Sequence, residues 1–362
     1  MNRRDFNLLL AKSSAIATSF FSSSFLWAKD AREFIESLRR APTHRSQVSI
    51  QLTNSISIFR SIRVPYGVSI IGAPGTVIQL YDDANIVLEG NNHISDVVFD
   101  FCEGKGQVLA RNAELIALNR CVAKNSQSNG IFFAGEINRI SITDCRAEHN
   151  KQRGIFISGA ESGVPSDIVI ERCYAAHNGR DGIAVSGFGG PRIGFYEKKY
   201  AENITISNCV AHNNGVAAFN GITVPYATHV RIVNSAAFSN AEHGLSLQDT
   251  REFSILGCST YKNKQGGLNM QSGYNREATH GGKVVNCTSK NNRSGVFLKE
   301  RCHDITFVEC DFSDNFAYPV RLVDINKSGL RSHNIRFIKC TFGERSHTIF
   351  NSNRSSNISV DP

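Results

Sequence analysis

Beyond residue 28 the sequence has no apolar run long enough to cross a bilayer, so the bulk of the chain is not membrane-spanning. Its 10 cysteines include no C-x-x-C pair, which argues against a zinc site. Hairpin turn signals at short, regular spacing are missing, which argues against a β-sandwich. Prolines number only 8, against 29 glycines. With 41% hydrophobic and 20% charged residues in 362, the composition excludes a disordered chain, a collagen and a polytopic membrane protein. In an exported protein ten cysteines would ordinarily suggest five disulfides, so their placement decides their meaning.

The chain opens with Arg3-Arg4, Phe6 and a moderately apolar segment rich in Ala, Ser and Phe that ends at Trp27-Ala28. This resembles a twin-arginine export signal over residues 1–28, with Asn2 and Asn7 departing from the usual residues. The resemblance implies passage through the twin-arginine machinery, a periplasmic or secreted location, and no stable membrane insertion after cleavage. No cysteine lies near Ala28, which argues against a lipoprotein. The formal net charge is +8, and loss of Arg3, Arg4, Lys12 and Asp5 with the signal leaves +6.

A degenerate repeat occupies residues 93–350. Its clearest copies are Ile140-Ser-Ile-Thr-Asp-Cys145 with Gly154-Ile-Phe-Ile, Ile168-Val-Ile-Glu-Arg-Cys173 with Gly182-Ile-Ala-Val, and Ile204-Thr-Ile-Ser-Asn-Cys209 with Gly221-Ile-Thr-Val. Each unit reads as an alternating strand, a Cys, an Asn-containing turn, a Gly and a second alternating strand. Cys102, Cys121, Cys145, Cys173, Cys209, Cys258, Cys287, Cys310 and Cys340 mark the units, with Ser235 filling one gap. Their uneven spacing, 19 to 36 residues, indicates a constant coil with variable loops. Asn125, Asn150, Asn178, Asn213, Asn240, Asn263 and Asn315 are the expected ladder at a tight turn.

This pattern resembles the right-handed parallel β-helix of the pectate-lyase-like superfamily. The resemblance implies an all-β, single-stranded parallel helix of about ten coils, in which stacked cysteines sit too far apart for disulfides and serve as a thiol core. Residues 29–92 are expected to supply a capping helix and the first irregular coils. Asp30 to Arg40 is amphipathic, with Phe34, Ile35 and Leu38 on one face. Residues 351–362 are expected to be a tail. Cys302 lies outside the cysteine register and is the one thiol left for special chemistry.

Function on such a rod depends on its outward face. The residues after each Gly-Ile/Leu/Val run from Phe132 and Phe156 through Ala184, Thr223, Ser246 and Asn269 to Phe297 and Arg321. Two positions on lie Pro225, Gln248, Gln271 and Lys299. Thr223, Ser246, Gln248, Asn269 and Gln271 are the expected substrate contacts. Tyr196, Lys198 and Lys199 join them from one long insertion, and Tyr274 from another. Nucleic acid is disfavoured because no recognised motif is present. A basic groove suits an acidic polysaccharide.

For a uronate polymer the chemistry that the resemblance implies is proton abstraction beside the carboxyl, by a lyase or an epimerase. It needs a carboxylate neutraliser, a base and an acid. Lys299, His280, Tyr226, Arg276 and Arg321 are the candidates. The Asp-Pro-His signature of alginate epimerases is absent. A glycoside hydrolase would need paired carboxylates, and the outward stripe has none; Asp249, Glu252, Glu277, Glu300 and Asp324 lie only in loops. Asp249 is the one candidate metal ligand, for calcium; no other cofactor is indicated. A non-catalytic polysaccharide-binding or surface rod is the first alternative, and hydrolysis by loop carboxylates the second.

Overall fold

The computed structural model describes residues 24–41, 47–188, 199–272, 278–323, 331–343, 349–351 and 356–361. The chain winds through three parallel sheets, sheet 1 of 14 strands, sheet 2 of 10 and sheet 3 of 12, to give a solenoid of about 12 coils. They are visited in that order until the last turns, where single bridges at Asp311 and Thr341 stand in for sheet 2. At the usual interstrand spacing the longest sheet extends for about 60 Å. The sequence suggests about ten coils; the extra ones arise because the solenoid begins before the repeat does. Strands at Val48–Leu52, Ile56–Ile58 and Ile62–Val64 already form one coil, without a Cys or a ladder Asn to mark it. Ser356–Asp361, in the segment expected to be a tail, pairs in parallel with His333–Ile338.

Inward side chains stack on their own kind. In sheet 1 one column runs Ile50, Ile70, Ile94, Leu118, Ile142, Ile170, Ile206, Ile232 and Ile255, then Val284, Phe307 and Phe337. All of these are at most 1% exposed. Helix α1 (Ala31–Arg40) covers the first coil. Asp30 caps it by accepting the Glu33 N–H at 2.9 Å, and Phe34 and Leu38 are buried beneath it. Before it, Ser24–Ala28 adds an edge strand to Val48–Leu52, so this part of the expected signal forms part of the fold.

The cysteine column sits at the corner between sheets 1 and 2. Cys121 N–H donates to Cys145 Sγ at 3.4 Å, and Cys121 Sγ donates to Ile94 O at 3.4 Å. Ser235 performs the same task with oxygen, accepting from Cys209 N–H at 3.1 Å. Two assignments shift. The position before Cys121 belongs to Val97, whose carbonyl accepts from Val122, and Cys102 lies five residues further on in a left-handed turn. Cys302 is no exception to the core: it is fully buried and donates to Met270 O at 3.3 Å. It continues another inward column with Thr250, Thr279 and Ser332. All ten cysteines are free thiols.

The asparagine ladder runs through Asn150, Asn178, Asn214, Asn240, Asn263, Asn292 and Asn315. Asn178 is typical. Its Oδ1 accepts from Asn150 N–H at 3.1 Å and Asn150 Nδ2 at 3.0 Å, and its Nδ2 donates to Ala147 O at 2.9 Å. Asn213 is the left-handed residue just before the ladder, and Asn125 likewise precedes Ser126, which takes the place of an asparagine. The repeat glycine follows from this ladder: a Cβ on Gly182 would lie 2.7 Å from Asn214 Nδ2 and 2.8 Å from Gly221 O. Left-handed single residues such as Asp144, His149 and Arg139 turn each corner or bulge.

Replacing Asn178 by Ala strips two buried donors and one carbonyl of their partners. The expected loss is about 3 kcal/mol in denaturant unfolding; a loss under a few tenths would show that the ladder contributes nothing. Thiol titration without reductant should find all ten cysteines reactive after unfolding, and any shortfall would reveal an oxidised pair.

Candidate functional site

Alternation in sheet 3 turns Ile222 and Val224 inward and Thr223 and Pro225 outward. Register then aligns the outward residues along the rod. One row is Phe132, Phe156, Ala184, Thr223, Ser246, Asn269, Phe297 and Arg321. The second brings Pro225, Gln248, Gln271 and Lys299 together. The structure therefore unites Thr223, Ser246, Gln248, Asn269, Gln271, Lys299 and Arg321 on one face.

These rows do not form one open groove. Thr223, Ser246 and Asn269 face away from the core yet are 9%, 4% and 1% exposed. Gln248, Gln271, Lys299, Phe297 and Arg321 are half-buried. Amide hydrogen bonds tie the face together. Asn269 Nδ2 donates to Ser246 Oγ at 2.9 Å, Gln271 Nε2 to Gln248 Oε1 at 3.2 Å, and Gln248 Nε2 to Tyr226 Oη at 3.2 Å. The Arg321 guanidinium lies 4.9 Å over the Phe297 ring. Among the described residues no carboxylate pairs with Lys299 or Arg321.

Tyr226 sits at the left-handed corner leaving sheet 3, as do Asp249 and Glu300. Asp249 is fully buried, and no group of three His, Cys, Asp or Glu among the described residues is placed to hold a metal. His280 lies round the corner, at the start of a sheet 1 strand. It stacks on His303 at 4.6 Å, which stacks on His333 at 4.8 Å. Lys199 is exposed and donates to Glu161 O at 2.8 Å. Glu252 pairs with His229 at 2.8 Å. Arg3, Arg4, Tyr196, Lys198, Tyr274, Arg276, Glu277 and Asp324 lie outside the described residues.

Sequence reasoning missed a third set, the residues just before each repeat glycine. Arg153 Nε donates to Asp181 Oδ2 at 2.8 Å, and Asn220 N–H to Asp181 Oδ1 at 2.9 Å. His243 N–H donates to Asn220 Oδ1 at 3.3 Å, and Gly266 N–H to His243 Nδ1 at 2.9 Å. Their signal is visible in the repeat, a polar residue before the glycine, but attention to the residues after it passes over them. The Gly266 bond leaves His243 with its proton on Nε2, which faces Glu242 Oε1 at 3.7 Å. Burial, aided by the charge of Lys299, pushes the imidazole down to about 3.

A separate recess of about 560 Å³ opens at the corner between sheets 3 and 1, nearer the N-terminal end. Asn112, Glu114, Glu136, Asn138, Arg139 and Asp167 line it. Arg139 pairs with Glu114, and Asn203 Nδ2 donates to Asp167 Oδ1 at 3.0 Å.

Folding holds His243 neutral, whereas the unfolded chain protonates it below its ordinary 6.5. Its contribution to stability is thus complete above pH 6.5 and declines as the pH falls toward 3, at up to about 1.4 kcal/mol per unit. His243→Asn, which can still accept the Gly266 N–H, should show an acid limb flatter by that slope in urea unfolding. Parallel limbs for the two proteins would refute the assignment.

The sequence pattern of a known family, described as the right handed beta helix region, matches residues 66–193 and 186–281, together more than half of the chain. No curated protein matches the sequence. Among solved structures, the A-module of the Azotobacter vinelandii mannuronan C-5 epimerase AlgE4 superposes with a TM-score of 0.71 at 16% identity, over 92% of this chain and 96% of that one. The catalytic unit of a GH87 alpha-1,3-glucanase from Streptomyces thermodiastaticus gives 0.64 at 10% identity, over 90% and 68%. A mutant of the periplasmic alginate epimerase AlgG gives 0.54 at 11% identity, over 97% and 88%. At such identities the likeness is one of fold, and by fold and sequence pattern the chain belongs to the right-handed β-helix family.

Proposed function

We propose that this protein is an exported, carbohydrate-active β-helix that acts on an acidic, uronate-containing polysaccharide by removing the proton beside the carboxyl. The observation that carries this reading is the sheet 3 face, where Lys299 and Arg321 lack acidic partners among the described residues and adjoin a row of hydroxyls and amides. Cations at that position offset the charge of a uronate carboxylate and so raise the acidity of the neighbouring C–H. The departing electron pair spreads into the carboxylate. It then either expels the glycosidic oxygen, as in a lyase, or recaptures a proton on the opposite face, as in an epimerase. Tyr226, held by Gln248, is the described side chain best placed to exchange that proton. The likeness to a mannuronan C-5 epimerase and an alginate epimerase supports the substrate class, and the name of the latter, a periplasmic enzyme, supports a periplasmic or secreted location. Arg3 and Arg4 support twin-arginine export.

A second reading, glycoside hydrolysis, rests on the recess lined by Glu114, Glu136 and Asp167 and on the likeness to GH87 glucanases. A panel of uronate polymers and an α-glucan separates the two. Elimination appears as ultraviolet absorbance of an unsaturated product, epimerisation as a changed proton NMR spectrum, and hydrolysis as new reducing ends. The expected result is turnover of a uronate polymer that falls at least a hundredfold in Lys299→Ala with thermal stability unchanged. Full turnover in both Lys299→Ala and Arg321→Ala would discard this face. Glucan hydrolysis abolished by Glu136→Gln would establish the recess instead.

A further inference from the structure

Asn269 is the most deeply shielded residue of the outward row in sheet 3 described above, at 1% exposure. Its neighbours Leu268 and Met270 point inward and fill the core, so its amide is directed away from the core. Nδ2 is satisfied by Ser246 Oγ, whereas Oδ1 is buried with no hydrogen-bond partner. Leaving an amide oxygen in that state is destabilising, and a leucine, which shares the branched shape of asparagine, would avoid the loss. Two register steps along the same row, at about 10 Å, Arg321 Nε is also buried with no partner. One orphan accepts a proton; the other is a cationic donor. Between them Phe297 presents an apolar ring.

We infer that Asn269 and Arg321 are paired subsites for a chain that carries both free hydroxyls and carboxylates. Asn269 Oδ1 accepts from one hydroxyl, and Arg321 Nε donates to a carboxylate oxygen further along. This rests on the uronate reading above and deepens it, because it makes Asn269 the residue that selects a free hydroxyl. Gln271 lies two residues further along the same strand and Lys299 two residues beyond Phe297 on the next; both are half-buried on the same face, and in this proposal they move aside to admit the ligand. A site built to bond a hydroxyl discriminates strongly against ligands without one, because its buried group is then left unpaired.

The test sets stability against affinity. Without ligand, Asn269→Leu should melt above the wild type. Its affinity for short oligogalacturonates or oligomannuronates, measured by calorimetry, should fall at least tenfold. Asn269→Ser, which does not depend on repacking a larger side chain, should show a similar loss of affinity. Arg321→Met should bind more weakly and with a shallower dependence on salt. Wild-type binding that Asn269→Leu leaves unchanged overturns the subsite while the uronate reading stands. A lower melting temperature for Asn269→Leu combined with full binding by Asn269→Ser makes Asn269 structural and also overturns it. If the wild type binds neither oligouronate, the uronate reading itself falls.

Discussion

Parallel strands stacked in register are the constraint on which the rest of the molecule depends. Each coil offers its backbone donors and acceptors to the next at one fixed spacing, so any residue sits directly over its counterpart. A slip of one residue would turn every core column outward, and the columns themselves prevent it. The interior is consequently written in columns: isoleucines on sheet 1, thiols at one corner, asparagines at the next. Even the repeat glycine has a cause of this kind, since the asparagine of the following coil occupies the space of its Cβ.

That constraint also explains what the sequence discloses. Cysteine and asparagine mark coils because a small thiol and a primary amide are among the few side chains that donate and accept along a stack at a corner. Where other residues serve, the marks vanish. Val97 and Ser126 take over the two columns at the N-terminal end, and the coil built from Val48–Val64 carries neither mark. Cys102 and Asn213 show the converse error, the right residue type a few positions or one position from the column. Left-handed corner residues favour asparagine and aspartate too, so residue type alone does not separate a corner from the ladder beside it.

The outward face was legible in its order and illegible in its depth. Two-residue alternation suffices to predict that Ser246, Asn269 and Phe297 share a row. It says nothing about neighbours on other coils, and these decide that Asn269 is shielded while Gln271 is half-open. His280 and Lys299 are both candidates for the same chemistry on residue type, but the fold puts them on different sheets, round a corner of the solenoid. His243 went unnoticed because its role depends on a backbone amide in the next coil, a contact across 23 residues of sequence.

Stacking makes the interior repetitive, but it leaves the outer rows free to change from coil to coil. Along sheet 3 they pass from Phe132 and Phe156, through hydroxyls and amides, to Lys299 and Arg321. The carboxylates of Glu114, Glu136 and Asp167 gather at the corner nearer the N-terminal end. On the uronate reading this polarity has a direct consequence. A polyanion would be repelled where those acids gather and attracted to Lys299 and Arg321, which have no carboxylate partner among the described residues, so the C-terminal half of the rod would set its position. On that reading the place a polyanion would take along the rod is encoded in a gradient of side chains across otherwise equivalent coils.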